Sequence, residues 1–146
     1  MGYYMNQRDS IFTIKAENKE AALEAVKALA TKDNRFTNAG RIASVNGREV
    51  KVRCYSWVND NYIDAKTLKE AVSCWRWCLE EDNTGDVIGI YFEGEKLGND
   101  EVLFEALAPF VESDSYIEMS GEEAALWRWS FERGELVERN ATITWE

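Results

Sequence analysis

The chain contains no histidine. That removes the side chain most often used as a general base near neutral pH and the commonest protein metal ligand. No nucleophile motif and no glycine-rich phosphate loop takes its place, so a non-enzymatic protein without a cofactor is expected. A single proline among 146 residues argues against long irregular linkers. The three cysteines, Cys54, Cys74 and Cys78, are odd in number and too few for a disulfide framework, which predicts free thiols in a reducing compartment. No apolar run approaches the roughly 18 residues of a membrane span, and the opening residues 1–6 lack the basic start and apolar stretch of a secretory signal. A cytoplasmic protein that engages no membrane is the expectation.

What the chain does have is apolar and acidic. Hydrophobic residues make up 45% and aromatic residues 12%, far from the signature of disorder, and the length suits one domain with one core. The formal net charge is −10, and it is unevenly divided. Residues 1–70 carry 12 Lys and Arg against 9 Asp and Glu, whereas residues 71–146 carry 5 against 18, so the halves stand at +3 and −13. Such acidity opposes non-specific association with nucleic acid or anionic membrane and favours a basic partner surface.

Residues 10–15 read as a strand that ends where Asn18 can cap a helix, and Ala22, Leu23, Val26, Leu29 and Ala30 recur at helical spacing over 19–30. Asn46-Gly47 between 41–45 and 48–55 is a strong hairpin signal. Thr67-Leu68-Lys69-Glu70 is a capping box, with Asp64 as a competing cap, and predicts a second helix from about Ala65 into Cys74. Residues 75–80 alternate as a strand, and Asn83-Thr84-Gly85 turns the chain into a strand over 87–93. A third helix is expected from Asn99 or Asp100 to near Pro109, followed by strands at 116–119, 126–132 and 136–145. The predicted fold class is α+β: one domain over 1–146, a largely antiparallel sheet with about three helices on one face, residues 32–57 reading as an insertion or a hairpin.

Trp-Arg-Trp occurs twice, at 75–77 and 127–129. As strands, these segments send Trp75, Trp77 and Leu79, and Trp127, Trp129 and Phe131, to a buried face. Arg76 and Arg128 then stand outside among Cys78, Glu80, Ser130 and Glu132, where cross-strand ion pairs are the ordinary outcome. Either arginine is also a candidate for holding a planar anion such as a nucleotide beside an exposed tryptophan. Cys74 and Cys78 have the four-residue spacing that aligns ligands on a helix, but with no histidine to join Cys54 the set is incomplete, and no metal is expected. Asp82, Thr84, Asp86 and Glu93 fall into a calcium-loop register, yet Val87 stands where that loop needs glycine, which favours a hairpin turn.

Several stretches carry a likeness to other proteins. Met1-Gly2-Tyr3-Tyr4, Ile63-Asp64-Ala65-Lys66-Thr67-Leu68, the segment 92–100 (Phe-Glu-Gly-Glu-Lys-Leu-Gly-Asn-Asp), and Ser115-Tyr116-Ile117-Glu118 leading to Trp127-Arg128-Trp129 resemble a group of small uncharacterised acidic proteins from bacteria, phages and other mobile elements. The resemblance implies a phage or mobile-element setting and transfers no activity.

Together these readings point to a binding protein whose acidic half meets a basic surface of a host or phage protein, in the sharpest version as a nucleic-acid-mimicking inhibitor of a defence complex. The candidate binding acids are Glu80, Glu81, Asp82, Asp86, Glu93 and Glu95 in the middle of the chain. Glu112, Asp114, Glu122, Glu123, Glu132 and Glu138 follow, with Arg76 and Arg128 beside them. Two other classes compete. One is a nucleotide or other small-molecule binder built on tryptophan and arginine. The other is a nucleic-acid binder working through Arg35, Arg41, Arg48, Lys51 and Arg53 interleaved with Phe36, Tyr55 and Trp57, which the net charge disfavours.

Overall fold

The computed structural model describes residues 2–31, 40–45 and 48–141, the stretch 40–53 by its backbone only. In chain order the elements are β1 (Met5–Ile11), α1 (Lys19–Lys27), β2 (Gly40–Val45), β3 (Arg48–Arg53), α2 (Leu68–Ser73), β4 (Trp77–Glu81), β5 (Val87–Phe92), α3 (Asp100–Leu107), β6 (Ser115–Gly121), β7 (Leu126–Glu132) and β8 (Glu135–Asn140). The fold is α+β. Its strands form three antiparallel pieces, a sheet of order β1-β6-β7-β8 and the hairpins β2-β3 and β4-β5.

Alternation along β7 buries Trp127, Trp129 and Phe131 and turns Arg128 outward, as a sheet covered on one face requires. Beneath it α3 contributes Leu103, Phe104 and Leu107, and Phe104 lies 5.0 Å from both Trp77 and Trp129 between ring centroids. From α1 come Ala22, Leu23 and Val26, and the buried apolar residues join in one core cluster. The 83–85 turn forms as expected: Asp82 Oδ1 accepts from the Thr84 hydroxyl at 2.6 Å and from the backbone N–H groups of Thr84 and Asp86. Those bonds, the Thr84 hydroxyl first, hold the Asp82 carboxyl below its usual range.

Several expectations are corrected. The first strand runs over Met5–Ile11 rather than 10–15, and Ile14 makes only an isolated bridge to Val87. Its polar run 6–9 hides the pattern because β1 is held by backbone pairing to β6 and by one side chain. The Gln7 amide donates to the Ile90 carbonyl and accepts from the Phe92 N–H, both at 2.7 Å, as a neighbouring strand would, and a register shift between Gln7 and Asp9 accompanies this. Asn18 occupies the N-cap position of α1 without a side-chain cap bond. Thr67 does cap α2, accepting from Glu70 N at 3.1 Å, so the helix starts three residues after Ala65. Strand β3 stops at Arg53 and β8 at Asn140; the Asn46-Gly47 turn and residues 142–146 lie outside the described residues.

The largest correction concerns the first Trp-Arg-Trp. Trp75 and Arg76 belong to the turn that leaves α2, and β4 begins only at Trp77. Arg76 takes φ 72°, in the left-handed region, which breaks the alternation the strand would have needed. Trp75 is therefore buried against Tyr55 and Tyr62, Trp77 against Phe92 and Phe104, and Arg76 turns inward. The same turn separates Cys74, at the C-cap of α2, from Cys78 on β4, so no helix aligns the two thiols.

Candidate functional site

Arg76 meets a buried acid. Asp100, at the first position of α3 and 1% exposed, accepts two hydrogen bonds from Arg76 Nη2 at 3.1 Å, one from the Trp77 indole at 2.8 Å and one from Gly98 N at 2.9 Å. The guanidinium also donates to the Lys96 carbonyl at 2.5 Å and lies 5.3 Å over the Phe92 ring. Both Nη groups are engaged while the buried Nε has no hydrogen-bond partner, and the pair joins α2, β4 and α3 rather than being offered to a ligand.

Arg128 lies on the outer face of the four-stranded sheet as expected, but in company. Its Nε donates to Glu118 Oε1 at 2.8 Å, across the β6-β7 register, and its guanidinium stacks 4.3 Å over Tyr116. Arg8 reaches the same Glu118 at 3.6 Å, Tyr116 donates to Asp9 at 2.8 Å, and Arg139 forks onto Glu132 at 2.9 and 2.7 Å. The Glu118 bond pushes the Arg128 pKa up, and the Asp9 bond does the same for the Tyr116 phenol. A groove of about 310 Å³ runs beside Arg128, Arg139 and Asn140, with Glu118 on its wall. This face is a laced zwitterion rather than a phosphate site.

The acids separate into groups. Glu81 pairs with Lys19, Asp86 accepts from Ala16 N at 2.7 Å and faces Lys15 at 3.9 Å, and Glu80 accepts from the Tyr91 hydroxyl at 2.7 Å, so with Asp82 the β4-β5 turn is internally engaged. Glu132 sits at one end of β7 with Arg139, about 20 Å along the strand from the Glu122–Ala124 turn at the other. Glu112 and Asp114 precede β6. Elsewhere like charges crowd together: Glu101 on α3 is pushed up by burial, by its bond to Glu138 of β8, and by the charges of Glu138 and Glu105, against a smaller opposing pull from the Trp129 side chain. Neither Glu101 nor Glu138 lines the groove by Arg128 or the mixed-charge groove of about 900 Å³ between α1 and residues 63–69.

One cluster escaped the sequence reading. The N-terminal residues run between the 95–97 segment and the 121–122 turn: Tyr4 bridges Lys96, Leu97 N donates to Tyr3 O at 2.7 Å, and Tyr4 N donates to Glu122 Oε2 at 2.9 Å. The Lys96 ammonium lies 5.1 Å from the Tyr4 ring centroid and 5.5 Å from that of Trp57, and both rings are 52% exposed. Glu93, Glu95 and Glu123 are exposed nearby. Tyr55, by contrast, is buried with its hydroxyl on Leu29 O at 2.8 Å, which removes it from the nucleic-acid face expected of the N-terminal half. The side chains of Arg35, Phe36, Arg41, Arg48, Lys51 and Arg53 lie outside the described residues.

Among the described residues no helix is long and apolar enough to cross a membrane, and no group of three or more Cys, Asp or Glu is placed to hold a metal ion. Cys54, Cys74 and Cys78 are free thiols, that of Cys74 pushed up by burial and then by Glu70. Comparison with protein-family models, curated proteins and solved structures gave no match to this chain.

Proposed function

We propose that the protein is a non-enzymatic binding protein whose acidic surface engages a basic surface on another protein. The observation that carries this reading is the crowding of like charge at Glu101, Glu105 and Glu138, which adds to burial and to the Glu138 hydrogen bond in pushing the Glu101 pKa up. A cationic partner would relieve it, so association gains from a charge arrangement that the free protein bears as a cost. A raised carboxylate beside a second one is also raw material for acid–base catalysis, but such a pair needs a cleft that orients substrate and excludes water, and these residues line neither groove. The reading stops short of duplex mimicry, because Glu81, Asp86 and Glu132 are already engaged by Lys19, Lys15 and Arg139. A phage or mobile-element origin fits a protein of this kind and rests on the resemblance alone.

The test is capture from host lysate at low and high salt with the wild type and with a Glu101→Lys/Glu105→Lys/Glu138→Lys variant. Basic proteins held by the wild type and released by the variant or by salt support the reading. Identical captures by both proteins would remove its basis.

A further inference from the structure

The Tyr4, Lys96 and Trp57 cluster is built at a local cost, and that cost is the clue. Trp57 has φ 67°, a left-handed conformation that a bulky L-residue adopts only under constraint, while its ring remains half exposed. The constraint is visible. Asn99 occupies the N-cap position of α3 without capping it; its Oδ1 accepts instead from Ser56 N at 2.7 Å and pins the turn that displays Trp57. Trp57 also closes on Gly98, where an added Cβ would stand 2.9 Å from the indole Cδ1 and 2.7 Å from the Ser56 carbonyl. Of the six non-glycine residues with positive φ among those described, three border this cluster: Trp57 itself, and Glu123 and Ala124 in the turn beside Tyr4. Strain gathered at one place and preserved by its surroundings marks functional display.

Chemistry selects the occupant. Two aromatic faces already hold a cation, so the slot is complementary to positive charge. The Glu122 carboxylate accepts from Tyr4 N, the Glu95 backbone accepts from Met5 N, and Glu95, Glu122 and Glu123 are all exposed, so the segments that flank Tyr4 carry acids. Tyrosine and tryptophan at a polar rim also form the composition of an interface anchor.

We infer that Tyr4 and Trp57 form a slot for an arginine side chain of the basic partner, and that Lys96 fills it as a placeholder in the free protein. This rests on the proposed function and names the point at which that partner is gripped. A guanidinium is planar and more weakly hydrated than an ammonium, so it stacks on the two rings more favourably than the lysine it displaces.

The experiment is an NMR titration of the full chain with acetyl-Gly-Arg-Gly-Arg-Gly-amide, followed at the Trp57 indole N–H and the Tyr4 ring, with adenosine monophosphate as the planar anionic probe. Variants are Trp57→Gly, which suits the left-handed backbone and keeps the fold, Lys96→Met, and Lys66→Met as an exposed-lysine control. The arginine peptide should shift both rings. Trp57→Gly should weaken its binding about fivefold, and Lys96→Met should strengthen it about threefold, beyond any gain in Lys66→Met. Binding of adenosine monophosphate that Lys96→Met weakens would overturn the inference in favour of an anion site. Peptide shifts scattered over the acids and unchanged by Trp57→Gly, or no shift at either ring, would also overturn it. None of these outcomes touches the lysate comparison at Glu101, Glu105 and Glu138, so the slot can fail while the acidic reading stands.

Discussion

Replacing Asp100 by asparagine should be among the most damaging single changes available on the surface-to-core boundary of this fold. Four hydrogen bonds converge on the carboxylate, two from Arg76 and one each from Trp77 and Gly98. The carboxylate is 1% exposed and the Arg76 side chain 16%, so water screens neither partner well. An amide of the same shape keeps one acceptor but turns an NH₂ toward donors, and it leaves the guanidinium charge without its counter-charge. Removing one member of a buried pair costs about 3–5 kcal/mol, a large share of the roughly 5–15 kcal/mol that holds a domain of this size folded. Urea melts followed by tryptophan fluorescence measure the loss. Arg76→Met should cost a comparable amount because it strands the carboxylate. The double variant should then cost less than the two singles together by about 2 kcal/mol, since the second change removes a charge that the first left unpaired. A loss below about 1 kcal/mol for Asp100→Asn, or strict additivity of the singles, would refute the claim that this pair joins α2, β4 and α3.

Trp129→Ala should cost about 3–5 kcal/mol in the same melts, whereas Arg128→Ala, exposed and salt-bridged across β6 and β7, should cost under about 1 kcal/mol; equal losses would deny the alternation of β7. Gln7→Glu should destabilise by about 2 kcal/mol at neutral pH by setting a carboxylate against the Ile90 carbonyl, and should recover in acid when the protonated side chain can donate again; a loss that does not change with pH would mean the amide does not bridge β1 to β5. Because the Glu101 pKa is raised on folding, the native state binds more protons than the unfolded state just above the usual glutamate pKa, so this group makes stability fall as pH rises through that window. Glu138→Gln should lower the Glu101 titration seen by carboxyl NMR and flatten that slope, and an unchanged Glu101 titration would show that the two carboxyls do not interact.

Local rules made β7 readable in advance, because Trp127, Trp129 and Phe131 alternate with polar residues and the period-two pattern has one burial solution. The same reasoning misplaced Arg76 because a turn at φ 72° is decided by where Asp100 sits, 24 positions further on, and no spacing around residue 75 contains that information. β1 was displaced for a related reason. Its side chains are polar over 6–9, and what makes them a strand is backbone pairing to β6, more than 100 positions away, with the Gln7 amide completing the edge of β5. The display of Trp57 likewise depends on a distant residue: Asn99, whose side chain bonds Ser56 instead of its own helix, pins the turn that carries the ring outward. A cap residue that forgoes its cap and a tryptophan held in a left-handed turn each break a local preference, and they break it at the same place. Local preferences that yield together near an exposed aromatic pair are what a recognition surface requires, since a partner selects for the displayed ring and the fold must supply the strain that holds it there.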